Sequence, residues 1–250
     1  MTLGDPVPGW APVERPGRAP LPGRHVVLRP VDPAADEADL YAVSHPPEGD
    51  LSTWTYLPDG PYRSPADMRR MLDFAARSED PLFFTVVKDE RPAGMVSYLR
   101  ITPEHGAIEI GHIWFGSTLK RTPAATEVIY LLARHVFDDL GYRRLEWKCN
   151  ALNAPSRRAA DRFGFTFEGV FRKQQVVKGH NRDTAWYAIV DDDWPAIRAG
   201  FEAWLAPENF DAEGRQRRSL AQFRTHPEGV RSSASGPITQ REDSSGTDEG

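Results

Sequence analysis

Residues 109–127 decide the fold: Glu109-Ile110-Gly111-His112-Ile113-Trp114-Phe115 is followed, three residues later, by Leu119-Lys120-Arg121-Thr122-Pro123-Ala124-Ala125-Thr126-Glu127. Ala107 to Phe115 reads as a strand. Thr122 can cap a helix with Pro123 at its first position. Val128, Ile129, Leu132, Val136 and Leu140 then recur at helical spacing until Gly141 supplies a stop, so the pattern predicts one helix over 123–140. A strand running into a helix whose first turn is built of small residues leaves backbone N–H groups open at the positive end of the helix dipole. Such an end suits a phosphate, and Lys120 and Arg121 beside it match two adjacent phosphate groups. On spacing alone, an ordinary Thr-Pro helix start with a solvated basic pair fits as well.

Upstream, Leu82 to Val87 and Ala93 to Ile101 are two more strand candidates, divided by short turns at Asp89-Glu90 and Glu104-His105-Gly106, which makes an antiparallel meander with the first strand. Before them lie a strand at His25 to Arg29, a helix from Ala34 to Val43 entered through Asp32-Pro33, and a helix capped by Ser64 with Pro65, Met68, Met71, Leu72 and Ala75. Downstream come a strand at Arg144 to Cys149, a helix from Pro155 to Phe163 ended by Gly164, a strand pair at Phe165 to Phe171 and Thr184 to Val190, and a helix over Asp193 to Leu205. This alternation predicts an α/β fold with a mixed central sheet and helices on both faces.

Composition bounds the rest. The 250 residues carry 31 basic and 36 acidic side chains, a net charge of -5, with 40% hydrophobic residues and a mean hydropathy of -0.54. That is a globular composition without the broad basic surface that nucleic acid or an anionic membrane would need. No stretch approaches a membrane span and no secretory pattern opens the chain, so a cytoplasmic protein is expected. One cysteine and scattered histidines give neither a disulfide nor a structural zinc set, and no metal is expected. Residues 1–23, dense in proline and glycine, read as an extended arm. Residues 24–224 read as one domain, and 225–250, with Val230, Ala234 and Ile238 as their apolar residues, as a disordered tail.

A second strand-to-helix junction, Asn150-Ala151-Leu152-Asn153-Ala154-Pro155-Ser156, leads to Gly164-Phe165. With Lys120, Pro123, Ala125, Thr126 and Glu127, these residues resemble the two signatures of the GNAT superfamily of acyl-CoA-dependent N-acyltransferases, in its RimJ/RimL-like branch. The likeness runs from about Arg24 to Trp194 and includes the order of elements. Ala125 fits the usual loop, Lys120 stands where that loop has Gln or Arg, and Pro123 replaces its glycine and removes one amide donor. The resemblance implies the GNAT form of the mixed sheet, mostly antiparallel, and a homodimer. It implies an acetyl-CoA site: diphosphate on the amides of Arg121, Thr122, Ala124 and Ala125 beside Lys120, the pantetheine arm along the splayed strand end at Trp114 and Phe115, and Asn153 and Ser156 against the far half of the coenzyme. As an Asx turn or helix cap, Asn153 would need no ligand.

Transfer of an acyl group to an amine needs a base for the amine proton and a donor for the developing oxyanion. Glu109 is the candidate base, two residues before a glycine that can mark a bulge and leave an N–H free. A half-buried glutamate paired to an arginine is the plain alternative. His112 is a second candidate base, although its alternation with Ile108, Ile110 and Trp114 places it in the core on the opposite face. The tyrosine that many GNAT enzymes use as an acid is replaced by Ala160. Trp54, Tyr56 and Tyr62 could wall an amine pocket or simply pack their loop. Lys178 to Asp183 reads as a charged hairpin loop, Asp191-Asp192-Asp193 as a solvated turn capping a helix, and Cys149 as packing. The function expected is acetyl transfer from acetyl-CoA to a primary amine of a protein N-terminus or a small amine. A silent acyl-CoA-binding module and a longer donor such as succinyl-CoA are the alternatives.

Overall fold

In a computed structural model describing residues 3–224, the central sheet has eight strands in the order β1-β2-β3-β4-β5-β6-β8-β7. The strands are β1 (Leu21–Pro22), β2 (Val27–Pro30), β3 (Leu82–Lys88), β4 (Arg91–Thr102), β5 (Ala107–Phe115), β6 (Arg144–Asn150), β7 (Thr166–Val177) and β8 (His180–Val190). Every neighbouring pair is antiparallel except β5 with β6. A parallel pair needs a crossover, and α3 (Pro123–Arg134) supplies it.

Strand alternation sorts the core into two layers. Phe84 and Val96 join Val128, Leu132, Phe163 and Phe201 on the face covered by α3, α4 (Ala154–Phe163) and α5 (Trp194–Leu205). Their chain neighbours Phe83 and Met95 turn to the other face and meet Leu40, Met68 and Leu72 of α1 (Pro33–Ser44) and α2 (Pro65–Arg77). That second layer ends at β5, and no helix among the described residues covers the same face of β6 and β8.

The caps fall where the sequence places them. Asp32, Ser64, Thr122 and Asn153 each accept from an amide of the first turn, and Gly164 closes α4 at φ +96. Three expectations need correction. The helix over 123–140 is α-helical only to Arg134 and continues as a π-turn over His135–Asp139, where Leu140 N–H bonds His135 O. That wider turn lets Asp138 accept from Trp194 Nε1 at 2.7 Å. The last two strands run much further than 165–171 and 184–190: β7 is the exposed edge, so the polar run Arg172-Lys173-Gln174-Gln175 hides its strand character. Asp193 precedes α5 but its side chain makes no cap bond.

Residues 3–20 are largely irregular and lie along the domain, with Trp10 Nε1 donating to Glu104 O and its ring under Arg143. Glu127, from the first turns of α3, then receives the amides of Arg24 (2.8 Å), His25 (2.6 Å) and Val26 (3.0 Å) and fixes the entry into β2. The tail assigned to 225–250 falls outside the described residues. No helix among the described residues is long and apolar enough to cross a membrane.

Candidate active site

β5 and β6 part company halfway. They pair from Ala107↔Arg144 to Ile110↔Trp147 and no further, while β6 stays with β8 as far as Asn150↔Thr184. The cause lies in β5. Ser97 of β4 pairs with Gly111 but Met95 pairs with Trp114, so β5 carries one extra residue, and His112 takes φ +48. A bulge of this kind bends its strand away from the neighbour. The glycine expected to carry it is one residue early. A Cβ at Gly111 would stand 2.9 Å from Leu99 Cδ2, the end of a side chain that can shift.

The wedge between the strands opens into a cleft of about 650 Å³. Its walls are Glu109 to Ile113 on β5, Trp147 to Asn150 on β6, Ser52, Thr53 and Thr55 to Pro58 before α2, the start of α4, and the inner edge of the β7–β8 hairpin. Glu109 lies on the open face of the sheet, opposite Glu146, with its side chain 7% exposed. Its Oε2 stands 2.8 Å from Arg100 Nε and 3.1 Å from Lys148 Nζ, at ion-pair distance but off the axis of a hydrogen bond. Lys148 continues to Glu146 at 2.5 Å, Glu146 to Arg144 at 2.8 Å and Arg144 to Glu168 at 2.5 Å. Three cations and three carboxylates thus balance along the open face. Burial pushes the Glu109 carboxyl above the usual carboxylate range, against the downward pull of Lys148 and Arg100. The paired glutamate and the candidate base are therefore one residue.

At the start of α3, Thr122 N–H donates to Leu119 O at 3.3 Å, and Ala125 N–H donates to Thr122 Oγ1 at 3.4 Å. These two of the four amides expected to meet a diphosphate already have partners. The amides of Arg121, held at φ +64, and Ala124 donate to no group among the described residues. Lys120 lines the cleft with Nζ 3.2 Å from Thr53 Oγ1.

Other expected residues divide. Asn153 and Ser156 line the cleft, Asn153 Oδ1 accepting from Ser156 N–H at 3.1 Å and Ser156 Oγ accepting from Trp147 Nε1 at 3.0 Å. Tyr56 lines it too and donates to Leu152 O at 3.2 Å across it. Trp54 does not: it is buried between Tyr62 and Trp114 under α1 and α2, its Nε1 bonded to Ser44 O. Tyr62 packs in the same cluster, its buried hydroxyl without a partner among the described residues. The Trp114 side chain is buried there as well, and Phe115 packs against the other layer. Neither residue lines the cleft, and the pantetheine arm expected beside them would meet the strand through its backbone. Ala160 is fully buried.

Several cleft residues escape sequence reasoning. His112 was expected in the opposite core, but the bulge turns it into the cleft wall, with Nδ1 2.9 Å from Ser97 Oγ and its pKa lowered by burial. Alternation fails across an extra residue. The segment 178–183 is not a plain loop: only Lys178 and Gly179 turn the chain, and His180 onward is strand. Lys178 Nζ reaches across to Trp54 O at 2.7 Å and Asp59 O at 3.2 Å, tying the hairpin tip to the loop before α2. Arg182 of the same hairpin lines the cleft. The one available signal was the polar alternation of Arg144, Glu146 and Lys148. Cys149 is buried and burial raises its pKa, as for a packing cysteine.

The mixed sheet opened between β5 and β6 is the frame of an acyl-CoA-dependent N-acyltransferase, the class that comparison with known proteins gives. Over residues 25–166 the chain matches the acetyltransferase (GNAT) domain, and it belongs to that family. A GCN5-related N-acetyltransferase from Brucella melitensis is 45% identical with a TM-score of 0.85, covering 87% of this chain and 99% of that one. The ribosomal-protein-serine acetyltransferase of Escherichia coli is 27% identical over 109 residues, which span 44% of this chain and 60% of that enzyme. It supports the RimJ/RimL-like branch. Microcin C7 self immunity acetyltransferase MccE, solved with acetyl-CoA and AMP, is 21% identical with a TM-score of 0.58 over 67% of this chain and 93% of its own, a likeness of fold.

Proposed function

We propose that this protein moves the acetyl group of acetyl-CoA directly to a primary amine, with Glu109 accepting the amine proton. One observation carries the proposal. The buried, cation-flanked carboxylate of Glu109 faces the wedge in which β5, past Ile110, has backbone that β6 does not pair.

The residues present suit the coenzyme. The unpaired edge of β5 can take the pantetheine amides as a further strand would, through the backbone at Trp114 and Phe115. The free amides of Arg121 and Ala124, with Lys120 and Arg121, suit the diphosphate. Thr122 and Ala125 hold that turn in shape, and Asn153 and Ser156 bound the far wall. MccE, of the same fold, is solved with acetyl-CoA.

Glu109 binds one proton in the reaction. A carboxyl raised by burial is a better acceptor near neutral pH than an ordinary one. Lys148 and Arg100 favour its ionised form against burial and flank the carboxylate. Attack places negative charge on the carbonyl oxygen, for which an amide of the bulge at Gly111–Ile113 is the donor nearest in sequence to Glu109. With Ala160 carrying no hydroxyl, the leaving thiolate takes its proton from water at the cleft. Tyr56 and the hairpin tied down by Lys178 border the acceptor side. Thiol release from acetyl-CoA with a panel of amines tests the proposal: turnover supports it, and coenzyme binding with no turnover on any amine contradicts it.

A further inference from the structure

The charges of the cleft do not cancel. Along the open sheet face the ladder from Arg100 through Glu109, Lys148, Glu146 and Arg144 to Glu168 is neutral. Arg182 stands beside it and belongs to none of these pairs. It lines the cleft, its Nε is buried with no hydrogen-bond partner among the described residues, and none of their carboxylates pairs with it. It shares the cleft lining with Glu109, and burial works against its own charge. Two residues along β8, on the same side of the strand, Thr184 Oγ1 is also buried, also lines the cleft and also lacks a partner. A buried guanidinium edge and a hydroxyl left open side by side are costly unless something fills them.

We propose that the acceptor amine carries its own carboxylate, received by Arg182 and Thr184 while the amino group faces Glu109. This rests on the acetyltransferase reading and narrows it to amino acids or similar amino carboxylates. The flat guanidinium fork matches a carboxylate in two-point contact, and the hydroxyl can donate a third bond. A polyamine or a polycationic aminoglycoside would bring further positive charge to a site that already holds Arg182 in excess, at a cost in affinity.

The test uses the full chain saturated with coenzyme A for binding, and with acetyl-CoA for turnover. Alanine and β-alanine are compared with their carboxamides, with propylamine, with 1,3-diaminopropane and with O-phosphoethanolamine. The carboxylates should bind, and show kcat/KM, at least tenfold better than the carboxamides, as a charge-assisted contact warrants. Arg182→Gln should abolish that preference and leave propylamine turnover and coenzyme A affinity within about twofold. Thr184→Val, close in shape, should weaken the preference in part and carries the test should Arg182→Gln fail to fold. Equal use of carboxylate and carboxamide, a preference for the diamine or the phosphate, or a carboxylate preference that survives Arg182→Gln would overturn the inference and leave the acetyltransferase reading standing. Failure of coenzyme A to bind would overturn both.

Discussion

Lys148 Nζ stands 3.1 Å from Glu109 Oε2 across the parallel strand pair, with 4% of its side chain exposed. The same ammonium touches Glu146 at 2.5 Å, so a single cation is divided between a carboxylate in the cleft and one beside it. Its pull on Glu109 opposes burial, and burial wins. The sign of the pH dependence follows. Glu109 works as a base only when ionised, so kcat/KM should rise with pH along an acidic limb lying above the ordinary carboxylate range. Lys148→Met removes the largest downward influence and should move that limb to higher pH. A limb that stays put or moves down would show that Glu109 is not the titrating group.

Glu109→Gln keeps the shape of the side chain and removes its basicity. It should lower kcat by about 100-fold near neutral pH, with the acetyl-CoA Kd changed by less than about twofold. Initial rates and calorimetric titration on the same preparation check both halves.

Glu127 matches the family signature beside Thr126, yet its carboxylate is spent on three backbone amides of residues 24–26. Its role is to hold the chain entering β2 against α3. Glu127→Ala strands those donors and should cost about 3 kcal/mol, read as a lower urea midpoint at constant slope. Glu127→Gln, still an acceptor, should recover part of the loss. No loss in the alanine variant would mean that water replaces the carboxylate without penalty.

Lys178 ties the β7–β8 hairpin to Trp54 O and Asp59 O beside the cleft, on the side proposed for the acceptor. Lys178→Met should raise KM for the amine roughly fivefold, the worth of about one hydrogen bond, and leave the coenzyme Kd unchanged. A rise in the coenzyme Kd instead would put the hairpin on the wrong side of the site.

Local chemistry made the frame legible. Ser64-Pro65, Thr122-Pro123 and the Asn153 to Gly164 interval announce helix ends through caps and stops that act within a few residues. Leu82 to Phe115 announces three strands by composition. The GNAT family entered as a resemblance at Lys120 to Glu127 and Asn153 to Phe165, and residues 25–166 match its domain. What stayed hidden depends on pairing. An extra residue at His112 reverses which way alternate side chains face, and nothing about a histidine marks it. Arg100 meets Glu109 from its own left-handed position at φ +49, beside another irregularity of the β4–β5 ladder. Trp54 suits a pocket wall and a core equally by residue type, and packing under α1 and α2 decided for the core. β7 hid its length because an exposed edge strand has no buried face to write into the sequence.

The central claim is that the start of α3 takes the diphosphate of coenzyme A and so aims the thioester at Glu109. Crystals grown with coenzyme A test it most directly. The amides of Arg121 and Ala124 should donate to diphosphate oxygens, the pantetheine should run along β5 beyond Ile110, and the sulfur should end in the cleft before Glu109. A coenzyme bound elsewhere, or a diphosphate that leaves both amides without contact, would contradict the account.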